Sequence, residues 1–164
     1  MTDGSLVSAR LLVFRVGTLA CAAEVDQVRE ILPRLPTTRI PGAPPVVAGL
    51  VNVRGTLVTV VEGLRALAPT ETSQPASSED AGSTLLLEVA PGNGSKEAAG
   101  AGRKLIGFTV DEVLDVLAVT EATLEDGKGL PGVDPTLVRA VGRRHGELFI
   151  LLDVAALLGP ILTT

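Results

Sequence analysis

Two stretches of this chain occur twice at different offsets, and this limits its architecture more than any single motif does. Val25-Asp26-Gln27-Val28-Arg29-Glu30-Ile31-Leu32 recurs 85 positions later as Val110-Asp111-Glu112-Val113-Leu114-Asp115-Val116-Leu117. Gly55-Thr56-Leu57-Val58-Thr59-Val60-Val61-Glu62 recurs 91 positions later as Gly146-Glu147-Leu148-Phe149-Ile150-Leu151-Leu152-Asp153. Each copy of the second block ends in an acid followed by a short helical pattern, to Leu67 and Leu158. The offsets differ by six residues, so one six-residue insertion in the second copy reconciles them. The simplest chain with this property holds two copies of one strand-rich unit. Units of roughly 50 to 60 residues bury too little apolar surface to be comfortably stable alone, so the two are expected to pack together or exchange a strand.

Residues 11–16 read as a strand, Gly17-Thr18 as a turn and 19–25 as the hairpin partner. The stretch 25–32 has apolar spacing that fits a helix face, but its β-branched content and Pro33 and Pro36 favour a short strand, which is the reading adopted. Pro41 to Pro45 form a rigid turn that leads into strand 46–53, the turn Arg54-Gly55 and strand 56–61. Residues 69–83 are too polar to bury and read as a linker, 84–89 as a strand, 91–102 as a loose loop and 104–110 as a strand. The expected fold is mainly all-β, two small five-stranded SH3-like barrels around a shared hydrophobic core, with short helices. Closure of short strands into barrels also removes exposed edges. The expected divisions are a tail at 1–10, a first barrel at 11–68, the linker at 69–83 and a second barrel at 84–160, with residues 11–16 as the strand to be exchanged.

Composition removes several classes of function. A net charge of −5, with no Trp, no Tyr and three Phe, lacks both the cationic cluster and the stacking platforms that nucleic acids require. No run approaches the length of a membrane span and the first ten residues hold no signal-like apolar stretch, so a cytoplasmic chain without membrane insertion is expected. The lone Cys21, between Ala20 and Ala22, reads as a small buried hydrophobe. The lone His145 lies in a polar turn at the repeat position of Arg54 and reads as a solvated turn residue. Gly92 to Lys96 lacks phosphate-loop spacing, and Asp111, Glu112 and Asp115 read as a solvated polar face. No catalytic residue, metal or other cofactor is therefore expected. The stretch Gly49-Leu50-Val51-Asn52-Val53-Arg54-Gly55 is harder to explain as a simple turn. A turn accounts for Gly55, while Arg54 is open to two readings, a structural ion pair or a contact with a partner.

Several blocks together resemble the CheW family. They are Leu12 to Gly17, Val28 to Leu32, Ile40-Pro41-Gly42-Ala43-Pro44, the Gly49 to Gly55 stretch, Ile106 to Val113 and Phe149 to Val154. The resemblance covers about residues 9 to 158, and the Pro-Gly-Ala-Pro turn followed by Gly-x-x-Asn-x-Arg-Gly is its most specific part. It implies a double β-barrel adaptor without catalysis, coupling the cytoplasmic tip of a chemoreceptor to the regulatory domain of a CheA-type histidine kinase, with recruitment to receptor arrays. It further implies that Asn52, Arg54 and Gly55, with Val28 and Glu30, lie on or beside a protein-binding surface. The alternatives are a CheW-like module of a gliding, pilus or developmental pathway, or a small ligand-binding barrel. Where the family reads Val-Val-Asp-Leu-Arg, this chain reads Val60-Val61-Glu62-Gly63-Leu64-Arg65, which puts the start of the following helix in question.

Overall fold

The computed structural model describes residues 8–67, 82–89, 104–120, 123–125 and 134–162. Most of the expected linker at 69–83 and all of the loop at 91–102 lie outside these residues. The strands are β1 (Ser8–Val16), β2 (Leu19–Glu24), β3 (Val28–Pro33), β4 (Val47–Val53), β5 (Thr56–Glu62), β6 (Ser83–Val89), β7 (Lys104–Val110), β8 (Glu112–Thr120), β9 (Val138–Arg144) and β10 (Glu147–Leu152). Helices α1 (Gly63–Leu67) and α2 (Val154–Leu162) follow the last strand of each repeat. The stretch read as a short strand at 25–32 begins with a 3-10 turn at Val25–Gln27 and is strand from Val28, as β3.

The strands form two five-stranded sheets, ordered β8-β1-β2-β10-β9 and β3-β6-β7-β5-β4. If β1 to β5 are matched with β6 to β10, the two orders are the same list with the leading hairpins traded. Hairpin β1-β2 sits between β8 and β10 of the second repeat, and hairpin β6-β7 sits between β3 and β5 of the first. In each sheet the incoming hairpin lies antiparallel to one neighbour and parallel to the other. The trade thus runs across the boundary expected at 69–83. The exchange takes in the whole leading hairpin rather than residues 11–16 alone, and it runs in both directions.

The apolar pattern of β1 shows why. Leu11, Leu12, Val13, Phe14 and Val16 are all buried, so this strand is covered on both faces and belongs at the centre of a sheet. Leu12, Phe14 and Val16 join Leu85, Leu87, Val89, Phe108 and Val110 in the core shared by the two sheets. There the rings of Phe14 and Phe108 meet edge to face, with centroids 6.1 Å apart. Leu11 and Val13, on the other face, pack with Ala22, Phe149 and Leu151 in a second cluster.

The sheets are open ladders, and in each the edge strand beside the turn is paired again by an isolated bridge. Thr38 and Leu50 exchange N–H to O bonds of 2.8 Å, and Glu125 and Val141 exchange bonds of 2.7 Å. Leu50 and Val141 are repeat equivalents, 91 residues apart.

The interiors of the two copies are filled differently. Phe149 faces Gly142 across β9-β10, where the first repeat places Val58 opposite Val51. A β-carbon at residue 142 would lie 2.4 Å from the Phe149 ring, so the large ring is accommodated by the missing side chain. Gly142→Val should therefore lower stability by about 1 to 3 kcal/mol through overpacking. Adding Phe149→Val recreates the valine pair of the first repeat and should recover part of the loss. Urea unfolding of the two single variants and the double variant measures this, and strict additivity would refute it.

Candidate functional site

The β4-β5 turn holds two consecutive residues with positive φ, Arg54 at 49° and Gly55 at 87°. This is the signature of a two-residue hairpin turn whose twist matches that of its strands. Glycine enters that region freely, whereas arginine there is uncommon. The Asn52 side-chain oxygen accepts the Gly55 N–H at 2.8 Å, which gives Asn52 a structural task at the turn. The bent backbone leaves two-thirds of the Arg54 side chain in solvent.

The guanidinium grips Glu30 with both terminal nitrogens, Nη1 to Oε2 at 3.2 Å and Nη2 to Oε1. Glu30 lies on β3, while the turn leaves β4, at the opposite edge of the same sheet. The pair therefore clips together two edges that share no ladder. Both readings of Arg54 left open by the sequence meet here, because it forms an ion pair and stays accessible. The Arg54 hydrogen bond, with lesser help from the charges of Arg54 and Arg29, holds the Glu30 carboxyl below the ordinary glutamate value.

A lowered carboxylate pKa stabilises the fold above the unfolded-state value, and that contribution is lost as pH falls through the folded-state value. Arg54→Ala should accordingly bring the Glu30 carboxyl back toward the ordinary range. Side-chain carboxyl NMR titration of both proteins checks this, and an unmoved Glu30 would remove the assignment.

The second repeat carries a counterpart. His145 and Gly146, 91 residues on, form the same turn with φ of 51° and 80°. Asp115, the repeat equivalent of Glu30, accepts from Arg144 Nε at 3.2 Å. The Val116 N–H, then Arg144, holds the Asp115 carboxyl below its ordinary value. The clip is thus present twice, with its arginine displaced by one residue, and His145 is the turn residue it was expected to be.

Sequence reasoning missed the apolar part of this surface. The large hydrophobic side chains exposed among the described residues are Ile31 (45%), Leu57 (67%), Val116 (46%) and Leu148 (43%). They are two repeat positions seen twice, since 31 matches 116 and 57 matches 148. Val28 behaves differently, being half-buried and packed against the shared core. The structure therefore joins Glu30, Asn52, Arg54 and Gly55 at one hairpin, while Val28 supports the sheet beneath.

The remaining candidates have structural tasks. Asp111 donates its N–H to the Arg15 carbonyl at 2.8 Å, and its carboxylate accepts the Gly17 N–H at 2.5 Å, tying down the tip of β1-β2. Burial pushes the Cys21 thiol up to about 12, which leaves it unreactive. Helix α1 does begin at Gly63, whose N–H donates to Thr109 Oγ1 at 3.1 Å. A β-carbon there would stand 2.2 Å from the Thr109 carbonyl oxygen, so the added-looking glycine allows the helix to start against β7. Glu62 pairs with Arg65, whereas Asp153 in the second repeat accepts the Ala156 N–H at 3.0 Å as a helix cap. Among the described residues no group of three or more His, Cys, Asp or Glu is placed to hold a metal ion, and no helix is long and apolar enough to cross a membrane.

These features define a duplicated, mainly β module with traded hairpins and an ion-pair clip in each repeat. The chain belongs to the CheW-like domain family, whose profile matches residues 10–160. It is 24% identical over 159 residues to the chemotaxis protein CheW of Bacillus subtilis, covering 96% of this chain and 92% of that protein. It is 26% identical to that of Thermotoga maritima, again with 96% and 92% covered. A probable chemotaxis protein CheW of Rhizobium etli matches at 27% over 115 residues, 70% of this chain and 64% of that protein. The solved structure of the scaffolding protein TtCheW from Thermoanaerobacter tengcongensis shares the fold, with a TM-score of 0.75 at 17% identity, covering 96% of this chain and 92% of the other.

Proposed function

We propose that this chain is a non-catalytic cytoplasmic adaptor that couples a chemoreceptor tip to the regulatory domain of a CheA-type histidine kinase. The β4-β5 hairpin is its receptor-docking element. The observation that carries this reading is the Arg54 guanidinium, held at a hairpin mouth by Glu30 yet still mostly in solvent, three residues before the exposed Leu57. A planar, multi-donor head beside an apolar side chain suits the carbonyls and carboxylates of a partner helix, and a lysine would not reproduce it. The names of the relatives from Bacillus and Thermotoga place those proteins in chemotaxis, which supports the same setting for this chain.

Arg54→Ala should weaken binding to a receptor-tip peptide by roughly thirtyfold, the loss typical of a central interface residue. The reversed pair Glu30→Arg/Arg54→Glu keeps an ion pair across the clip and should bind as poorly as Arg54→Ala. Calorimetric titration gives the affinity and urea unfolding the stability of each variant. If the reversed pair binds like the parent protein, Arg54 acts only as a clip and the docking role is lost.

A further inference from the structure

We propose that the β1-β2 hairpin can pass from one copy of the chain to another, giving a second, dimeric form in which both copies of the Arg54 hairpin are held in one particle. This goes beyond the adaptor reading and does not depend on it.

Three observations carry the proposal. First, β1-β2 has its strand partners in the sheet of β8, β10 and β9, while β3 to β5 of its own repeat lie in the other sheet. Its link to its own repeat is the single 3-10 turn Val25–Gln27, which has no side-chain hydrogen bond at its start. A short connection between elements of different sheets is the kind of hinge that favours exchange. Second, the parallel seam of this hairpin is short, with only Ile150 opposite Cys21 and Leu151 opposite Ala22. Its repeat equivalent runs from Thr59 opposite Ile106 to Glu62 opposite Thr109. Third, the place the hairpin fills is specific, because Leu11, Val13 and Ala22 pack there against Phe149 and Leu151. A second copy of this chain supplies that same set of side chains.

If two chains trade β1-β2, the pairings of β1 with β8 and of β2 with β10 are rebuilt between chains, the other pairings stay within each chain, and only residues 25–27 need to change course. The equilibrium then depends on concentration. The intrachain hairpin competes at an effective concentration on the order of millimolar. The exchanged form should therefore collect when the protein is refolded near that concentration. Opening must also break the bond from the Gly17 N–H to the Asp111 carboxylate, which the dimer forms again between chains, so Asp111→Ala should speed exchange between the two forms several-fold and leave the equilibrium dimer fraction nearly unchanged.

The test uses the full chain carrying Arg10→Cys and Ala118→Cys, which are exposed register partners on β1 and β8. Samples refolded from denaturant at about 10 µM and about 1 mM are oxidised, sized by chromatography with light scattering and run on a non-reducing gel. Exchange predicts a dimer that grows with concentration and runs as a covalent pair, because the bridge then joins two chains. A chain that stays monomeric near 1 mM, or a dimer that separates into internally bridged monomers, overturns the proposal. Should the bridge fail to form, NMR on a mixture of two isotope labels applies the same criterion, requiring contacts between β1 and β8 of different chains in the dimer fraction.

Discussion

Cutting the chain between residues 75 and 76 should give two fragments that are unstructured alone and fold when mixed. The first fragment would carry β1 to β5 but lack β6 and β7, the strands at the centre of its own sheet. The second would carry β6 to β10 and lack β1 and β2 in the same way. Each would be left with isolated hairpins, which are marginal in water. Mixing supplies each sheet with its missing centre, so folding becomes second order and its midpoint rises with concentration. The chain has no Trp or Tyr, so far-UV circular dichroism and sizing chromatography are the suitable measurements. Cooperative unfolding of either fragment alone would show that each repeat folds as a unit by itself and that the hairpin trade is not needed for stability.

Phe108→Ala should remove about 3 to 5 kcal/mol, a large share of the 5 to 15 kcal/mol typical of a domain. Phe108 is fully buried in the shared core, edge to face with Phe14 of the other sheet. Its ring also lies close to Gly63 at the start of α1. Because the ring serves both sheets, their strands should melt together at a lower urea concentration in one transition. Amide signals from β6 and from β10, followed through the same titration, test this directly. Separate midpoints for the two sets would mean that each sheet is stable in its own right and the common core is incidental.

The duplication was legible because the blocks at 25–32 and 55–62 keep the same residue classes in step with their copies. The expected pair of five-stranded units followed from it, as did the short helices after Glu62 and Asp153. An exchange of residues 11–16 was the expectation; that β2 moves with them and that β6-β7 trades back was not legible, because the seam joining β2 to β10 sets Cys21 beside Ile150 with no local signal at either site. The double-sided apolar run of β1 does mark a central strand, but it does not say whose centre. Arg54 stood out as costly at a turn, yet its partner lies 24 residues earlier and becomes visible only once the opposite edges of the sheet are brought together. Ile31 and Leu57 were readable in principle. A large apolar residue kept at the same position of both copies, opposite the pattern of the core, is a signal that the comparison of repeats already contained.

The traded hairpins also set a timetable. A ribosome finishes β1-β2 when residue 24 emerges, but the flanking strand β10 is complete only at residue 152. At ordinary rates of synthesis, the hairpin waits for roughly 6 to 26 s with both apolar faces open to water. The nascent chain therefore exposes Leu11 to Phe14 to any chaperone, or to any neighbouring chain on the same message, for nearly the whole of its own translation.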